Sequence, residues 1–231
     1  LVAPPALRLQ QVSKGWRDGE KTRLVLAKLD FNLAAGESCA IVGPSGSGKS
    51  TLLNLCSAID TPDNGQVLAA GRDLSHLSDK QRAEWRLRHC GRVFQAFHLL
   101  PTLTLAENVA VPMSLAGEEG EAIPRACEAL EQLGLSHRAD AFPDQTSGGE
   151  QQRAAIARAL ILSPALVVAD EPTGNLDAET AEQISTLLLE QCRARGASLL
   201  LATHAPALAQ RADRVCQLYQ AQLLESDAAG L

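Results

Sequence analysis

The stretch GPSGSGKST, residues 43–51, sets three glycines, three serines, a threonine and a proline around a single lysine. Its spacing, Gly43, four residues, Gly48, Lys49, Ser50, is that of a phosphate-cradling loop. In such a loop backbone N–H groups point inward and the lysine reaches the outer phosphates. Gly43, Pro44, Ser45, Gly46, Ser47, Gly48, Lys49, Ser50 and Thr51 are therefore candidate nucleotide contacts, with the Ser50 hydroxyl suited to Mg²⁺. The flanks supply the context this motif needs. SCAIV (38–42) reads as a buried strand, and KSTLLNLCSA (49–58) as a helix whose N-terminus faces the anion. A Gly/Ser linker would not be bracketed by apolar segments of this kind. The ligand this predicts is a nucleoside triphosphate.

Composition narrows the partners. The chain has 231 residues, 45% of them hydrophobic, enough for a sizeable core in one domain or a domain plus a subdomain. Net charge is −6 and the pI about 5.4, without a basic run, so the footprint of a nucleic-acid binder is missing. The longest apolar runs, around ALVVA and ASLLLA, fall short of the ~18 residues of a membrane span. No charged-then-apolar leader is visible, which predicts a protein that stays inside the cell unless a partner takes it to a membrane. Six cysteines with no C-x-x-C pair among them read as reduced core thiols.

Along the chain, LRLQQV, RLVLAKLDFNL, SCAIV and GQVLAAG over residues 7–71 predict a mixed or antiparallel sheet beside the loop. From about 76 to 163 helical patterns dominate, with SDKQRAEWRLRH capped by Ser78 and PRACEALEQL running from Pro124 to a stop at Gly134. Strand and helix then alternate again: ALVVADE, a helix capped by Asp177 and ended by Gly196, ASLLLAT and RVCQLY. Short uncharged runs between turn signals are what strands covered on both faces look like.

LVVADE (166–171) ends a buried strand in two adjacent carboxylates, which is costly unless the strand tip opens onto a site holding cations. Asp170 is thus a candidate Mg²⁺ support and Glu171 a candidate holder of the attacking water. In TSGGEQQRAAIARAL (146–160), a Ser-Gly-Gly turn runs into strong helix formers and creates a second anion-ready helix N-terminus. One nucleotide has no evident need for two cradles.

SGGEQQR, together with the phosphate loop and ADEPTGNLD (169–177), resembles the signature of ATP-binding-cassette (ABC) ATPases, in the family's order and over nearly the whole chain. The resemblance implies a P-loop α/β fold with an antiparallel β subdomain, a mainly parallel core sheet and a helical subdomain at about 96–163, all in one domain spanning 1–231. It implies that Trp16 stacks on adenine and that Gln95 links Mg²⁺ and water to the helical part. Ser147, Gly148 and Gly149 would meet the γ-phosphate of ATP held by a second copy, Asp177 would end the loop crossing the dimer interface, and His204 would touch the γ-phosphate. Catalysis would then fall to Glu171, His204, Gln95 and Lys49, with ATP and Mg²⁺ bound between two chains in head-to-tail order.

VFQAFHLLPTLTLAENVAVPMSLAG (93–117), GNLD and WRDGEKTRLVL are similar to the subgroup that drives lipoprotein release and macrolide-type efflux. That likeness implies an integral membrane permease with few spans and a periplasmic domain, holding this chain on the cytoplasmic face of the inner membrane. Thr146 departs from the family's usual Leu, Ala205 from its Asp, and YQAQL (219–223) lacks the glycine of the usual late hairpin. Two alternatives stay open. A soluble cassette ATPase of cluster-assembly machinery shares every motif, and a small-molecule P-loop kinase shares the loop but has no use for SGGEQQR.

Overall fold

The computed structural model describes residues 5–18 and 21–226. Residues 19–20 of the WRDGEKTRLVL stretch, and residues 1–4 on which the reading of no leader partly rests, lie outside the described residues.

Two sheets organise the chain. β1 (Leu7–Asp18) and β2 (Lys21–Leu33) form a long antiparallel pair, which β4 (Asn64–Ala69) and the short β5 (Arg72–Asp73) extend in the order β2-β1-β4-β5. β3 (Ser38–Val42) does not join them, contrary to the sequence expectation that grouped SCAIV with its neighbours. It lies inside a second sheet of six strands with β6 (Cys90–Phe94), β7 (Leu166–Asp170), β8 (Ser198–Ala202), β9 (Arg214–Tyr219) and β10 (Gln222–Ser226), ordered β10-β9-β3-β8-β7-β6. All neighbours there run parallel except the edge strand β10. Every residue of β3 is buried, as a strand covered on both faces must be.

The two faces have different covers. Cys39 and Ile41 pack with the antiparallel sheet and with α1 (Lys49–Cys56), joined by Leu200 and Ala202 of β8. Ala40 and Leu201, on the opposite face, pack with α3 (Leu105–Leu115), α4 (Glu119–Gln132), α5 (Gly148–Leu160) and α6 (Ala178–Ala194). Period-two alternation thus divides one apolar run between two cores. Truncating a fully buried leucine such as Leu200 to alanine would cost about 2–5 kcal/mol.

Helix starts follow local chemistry. α2 (Asp79–His89), α3 and α5 begin at capping boxes, where Ser78, Thr104 and Ser147 accept from the N3 amide and Gln81, Glu107 and Glu150 reach back. Asp177 caps α6 by accepting from the Thr180 amide at 3.0 Å. Two expectations need correction. α4 starts at Glu119, not at Pro124, which lies within it. β6 interrupts the tract read as helical, because its five residues are too few to show a period beside such long helices. The β9–β10 hairpin closes without glycine: Gln220 and Ala221 both adopt left-handed backbone, φ 47° and 62°, the geometry of a two-residue turn that matches strand twist.

Candidate nucleotide site

The C-terminal ends of β3, β6, β7 and β8 share one edge of the core sheet, where open α/β sheets bind their ligands. The loop after β3 is Gly43–Gly48, the one after β6 carries Gln95, β7 ends in Asp170 and Glu171, and β8 is followed by His204. Ser45, Gly46 and Gly48 of that loop, the Lys49, Ser50 and Thr51 that follow it, Gln95, Asp170, Glu171 and His204, with Trp16 and Arg23 from the antiparallel sheet, line one cavity of about 950 Å³; Gly43, Pro44 and Ser47 do not. That volume suits a nucleotide-sized ligand.

Lys49 opens α1, its side chain largely buried. Its ammonium donates to the carbonyls of Gly43 (2.9 Å) and Pro44 (3.2 Å) and lies 3.1 Å from His204 Nε2. No described carboxylate pairs with it. Burial lowers the Lys49 pKa from its ordinary value, and Glu171 and Asp170 oppose that effect from a distance. A buried cation resting on carbonyls lacks the anion that burial calls for, and a polyphosphate supplies it.

The His204 amide donates to Glu171 Oε2 at 3.1 Å, and His204 Nε2 lies 3.4 Å from Glu171 Oε1. One ring nitrogen cannot accept from Lys49 and donate to Glu171 at once. With Lys49 charged, His204 Nε2 accepts, and Glu171 Oε1 is left buried without a donor. An orphaned carboxylate oxygen at the cavity wall is suited to hold a water proton. Glu171 itself has left-handed backbone, φ 47°, an arrangement held by its amide donating to Ala202 O and its carbonyl accepting from Gly174 N.

Asp170 makes no side-chain hydrogen bond or ion pair among the described residues, and neither does the Ser50 hydroxyl. With the Gln95 amide they offer the hard oxygen donors that Mg²⁺ takes together with phosphate oxygens. Gln95 is held in turn: its Nε2 donates to Asn175 Oδ1 at 3.0 Å, while Asn175 Nδ2 donates to Gln95 O at 3.0 Å. Residue type does not mark Asn175 as part of the site; only its place in GNLD does. Trp16 is half exposed, with its indole N–H 3.4 Å from Thr51 Oγ1 and its cross-strand partner Arg23 also on the cavity wall. Arg23, Val25, Phe94 and His98 line the cavity too, and residue type and spacing gave no sign of them.

The second cradle lies apart from the first. Ser147, Gly148 and Gly149 form the wall of a smaller cavity of about 310 Å³, with Arg153, Asn175, Leu176, Asp177, Thr180 and Gln183. The Ser147 side chain is committed to its cap, and Glu150 receives the Ser147 amide and hydroxyl at 2.8 Å each and Arg138 Nε at 3.0 Å. Thr146 donates to Pro143 O at 2.8 Å, and Ala205 precedes α7 (Pro206–Ala209) with no capping side chain.

Comparison with known proteins agrees with this geometry. The family model described as ABC transporter matches residues 26–174. The lipoprotein-releasing system ATP-binding protein LolD of Xanthomonas campestris is 46% identical over 220 residues, covering 95% of this chain and 92% of its own. LolD of Colwellia psychrerythraea is 47% identical over 218 residues, covering 94% and 84%. The dimeric ATP-binding cassette MJ0796, in a post-hydrolysis state with ADP and Pi, superposes with a TM-score of 0.87 at 35% identity, covering 97% of this chain and all of that one. The kinase alternative gives way to the ABC transporter family that the matched model and these relatives show. The chain belongs to the ABC transporter family, as an ATP-binding subunit that hydrolyses ATP with Mg²⁺.

Proposed function

We propose that this ATPase dimerises head to tail when it binds ATP, so that Ser147, Gly148 and Gly149 of one copy close on the nucleotide held by Lys49 of the other. The observation that carries this reading is the division of labour between the two cradles: one has the lysine, the adjacent carboxylates and the aromatic, the other a helix N-terminus flanked by Arg153 and Asp177, with neither lysine nor aromatic. In this reading Glu171 is the general base, Gln95 and His204 position the water and the γ-phosphate, and Trp16 holds the base. Asp170, Ser50 and Gln95 would hold Mg²⁺, which neutralises phosphate charge when bound. Asp177 ends the loop that crosses between the copies. The chain acts as one domain over 1–231, its helical part near 96–163 passing the closure on.

The dimer drives an integral membrane permease with few spans and a periplasmic domain, acting on lipoprotein, lipid or other hydrophobic substrates. The lipoprotein-releasing relatives at 46–47% identity support that substrate class. Among the described residues no helix is long and apolar enough to cross a membrane, so a location on the cytoplasmic face of the inner membrane would rest on the permease. Nucleic acid is not part of this reading.

Glu171→Gln tests the core of it, keeping shape while removing the base. Hydrolysis should fall about 10²-fold or more while ATP binding persists, and the variant should accumulate as an ATP-dependent dimer on size exclusion. Wild-type turnover would overturn the assignment of Glu171.

A further inference from the structure

The loop that carries Gln95 is strained and is held from outside. Phe97 and His98, neither of them glycine, both adopt left-handed backbone, φ 58° and 51°, and the His98 amide turns back on Ala96 O at 2.5 Å. Local sequence does not favour that conformation, so something else must select it. Arg158, more than two turns into α5, donates from Nη1 to His98 O at 2.6 Å and from Nη2 to Phe97 O at 2.8 Å. One planar fork thus takes both carbonyls of the left-handed pair.

The grip extends to the other side of Gln95. Gln152, fully buried on the same helix, donates to Phe94 O at 3.4 Å and to Pro172 O at 2.6 Å, the residue after Glu171. α5 lies hard on β6, since a Cβ on Gly91 would stand 2.2 Å from Ala159 O. The helix that begins at Ser147 therefore holds the backbone on both sides of Gln95.

We propose that Arg158 is a positioning residue for ATP hydrolysis: by clasping the carbonyls of Phe97 and His98 it fixes the loop that presents Gln95, and ties that loop to the helix whose first turn is the second cradle. The inference rests on the Gln95 role proposed above. Lysine cannot replace the fork, because it offers a point charge where two carbonyls need two parallel donors.

The test compares kcat and KM for ATP in Arg158→Ala, Arg158→Lys, Gln95→Ala, the Gln95→Ala/Arg158→Ala pair and Arg158→Ala/His98→Gly, with thermal melts for each. Arg158→Ala should lower kcat by about 10- to 100-fold, the cost of a small misplacement, and move KM less than about threefold. Arg158→Lys should fall between it and the wild type; if Arg158→Ala does not fold, Arg158→Lys takes its place in every arm. Combined with Gln95→Ala, the loss should not multiply, since one residue acts through the other. Glycine at 98 adopts the left-handed backbone unaided and should restore at least about fivefold over Arg158→Ala alone. A wild-type kcat in both Arg158 variants, or no rescue by glycine, would overturn the proposal. So would a multiplicative loss with an impaired Gln95→Ala. Wild-type turnover in Gln95→Ala would instead overturn the Gln95 assignment, and this inference with it.

Discussion

The two glycine-bearing cradles look alike in sequence and differ in what makes them glycine. In the first, the fold itself excludes a side chain: a Cβ on Gly43 would stand 2.4 Å from the backbone oxygen of Leu218, and Gly48 caps α1 with φ 107°. In the second, Gly148 and Gly149 have ordinary helical backbone. An added Cβ on Gly148 would meet only side-chain ends, Leu176 at 3.2 Å and Phe97 at 3.5 Å, while one on Gly149 would stand 2.7 Å from Cγ2 of the stiff Thr180 side chain. At 148 little inside this chain requires glycine, as the proposed approach of a second copy's nucleotide from outside would have it. The cavities differ too, one being ringed by lysine, paired carboxylates, histidine and tryptophan, the other by a helix start with Arg153, Asn175 and Asp177 beside it and neither lysine nor aromatic ring.

That contrast is sharpest under substitution by alanine. Gly43→Ala must displace backbone and should abolish ATP binding by the isolated chain, measured by nucleotide titration. Gly148→Ala should leave melting temperature and single-chain affinity nearly unchanged, yet lower hydrolysis at least about tenfold, in line with the cost of a misplaced reacting group. Equal losses of binding in both variants would erase the distinction.

A smaller effect is expected at the base end, which only the first cradle has. Stacking contributes roughly 1–3 kcal/mol, so Trp16→Ala should weaken ATP binding about 5- to 150-fold while Trp16→Tyr largely preserves it. The readout is the dissociation constant. Loss of stability with unchanged affinity would mean that Trp16 only packs.

The smallest effect concerns the carboxylate of the second cradle. Hydrogen bonds from Ser147, and the Arg138 guanidinium, hold Glu150 below its ordinary pKa of 4.5, against the opposing effect of burial. A folded value below the unfolded one means the contribution is complete above pH 4.5 and is lost as pH falls through the folded value. Glu150→Gln should therefore cost about 1 kcal/mol at neutral pH, with the melting-temperature gap to wild type closing in acid. Hydrolysis should persist in this variant. Its collapse would make Glu150 a second hydrolytic group and break the comparison.

Much of this is legible in the sequence. Strand, loop and helix around residues 38–58 follow from apolar runs and glycine spacing, and the caps at Ser78 and Asp177 from side chains that favour helix starts. Asp170 and Glu171 stood out because two charges rarely end a buried strand. β3 was misplaced because sequence order does not give sheet order: a strand between two hairpin-like neighbours left them to pair parallel with β8 and β9. The glycine-free hairpin at Gln220 and Ala221 was unreadable, because tertiary pairing overrides a local preference of only about 1–2 kcal/mol per residue. Asn175, Gln152 and Arg158 act through backbone carbonyls or an amide distant in sequence, and residue type carries no trace of such partners.

The central claim, that the second cradle serves the nucleotide of another copy, is tested most directly by mixing two disabled chains. Lys49→Ala damages the first cradle and Ser147→Arg fills the second, so a head-to-tail heterodimer has one site damaged twice and one intact. The account predicts that each variant alone is inactive and that the mixture recovers ATP hydrolysis, rising toward the level expected for one working site per heterodimer. A mixture as inactive as its components, with heterodimers demonstrably formed, would contradict it.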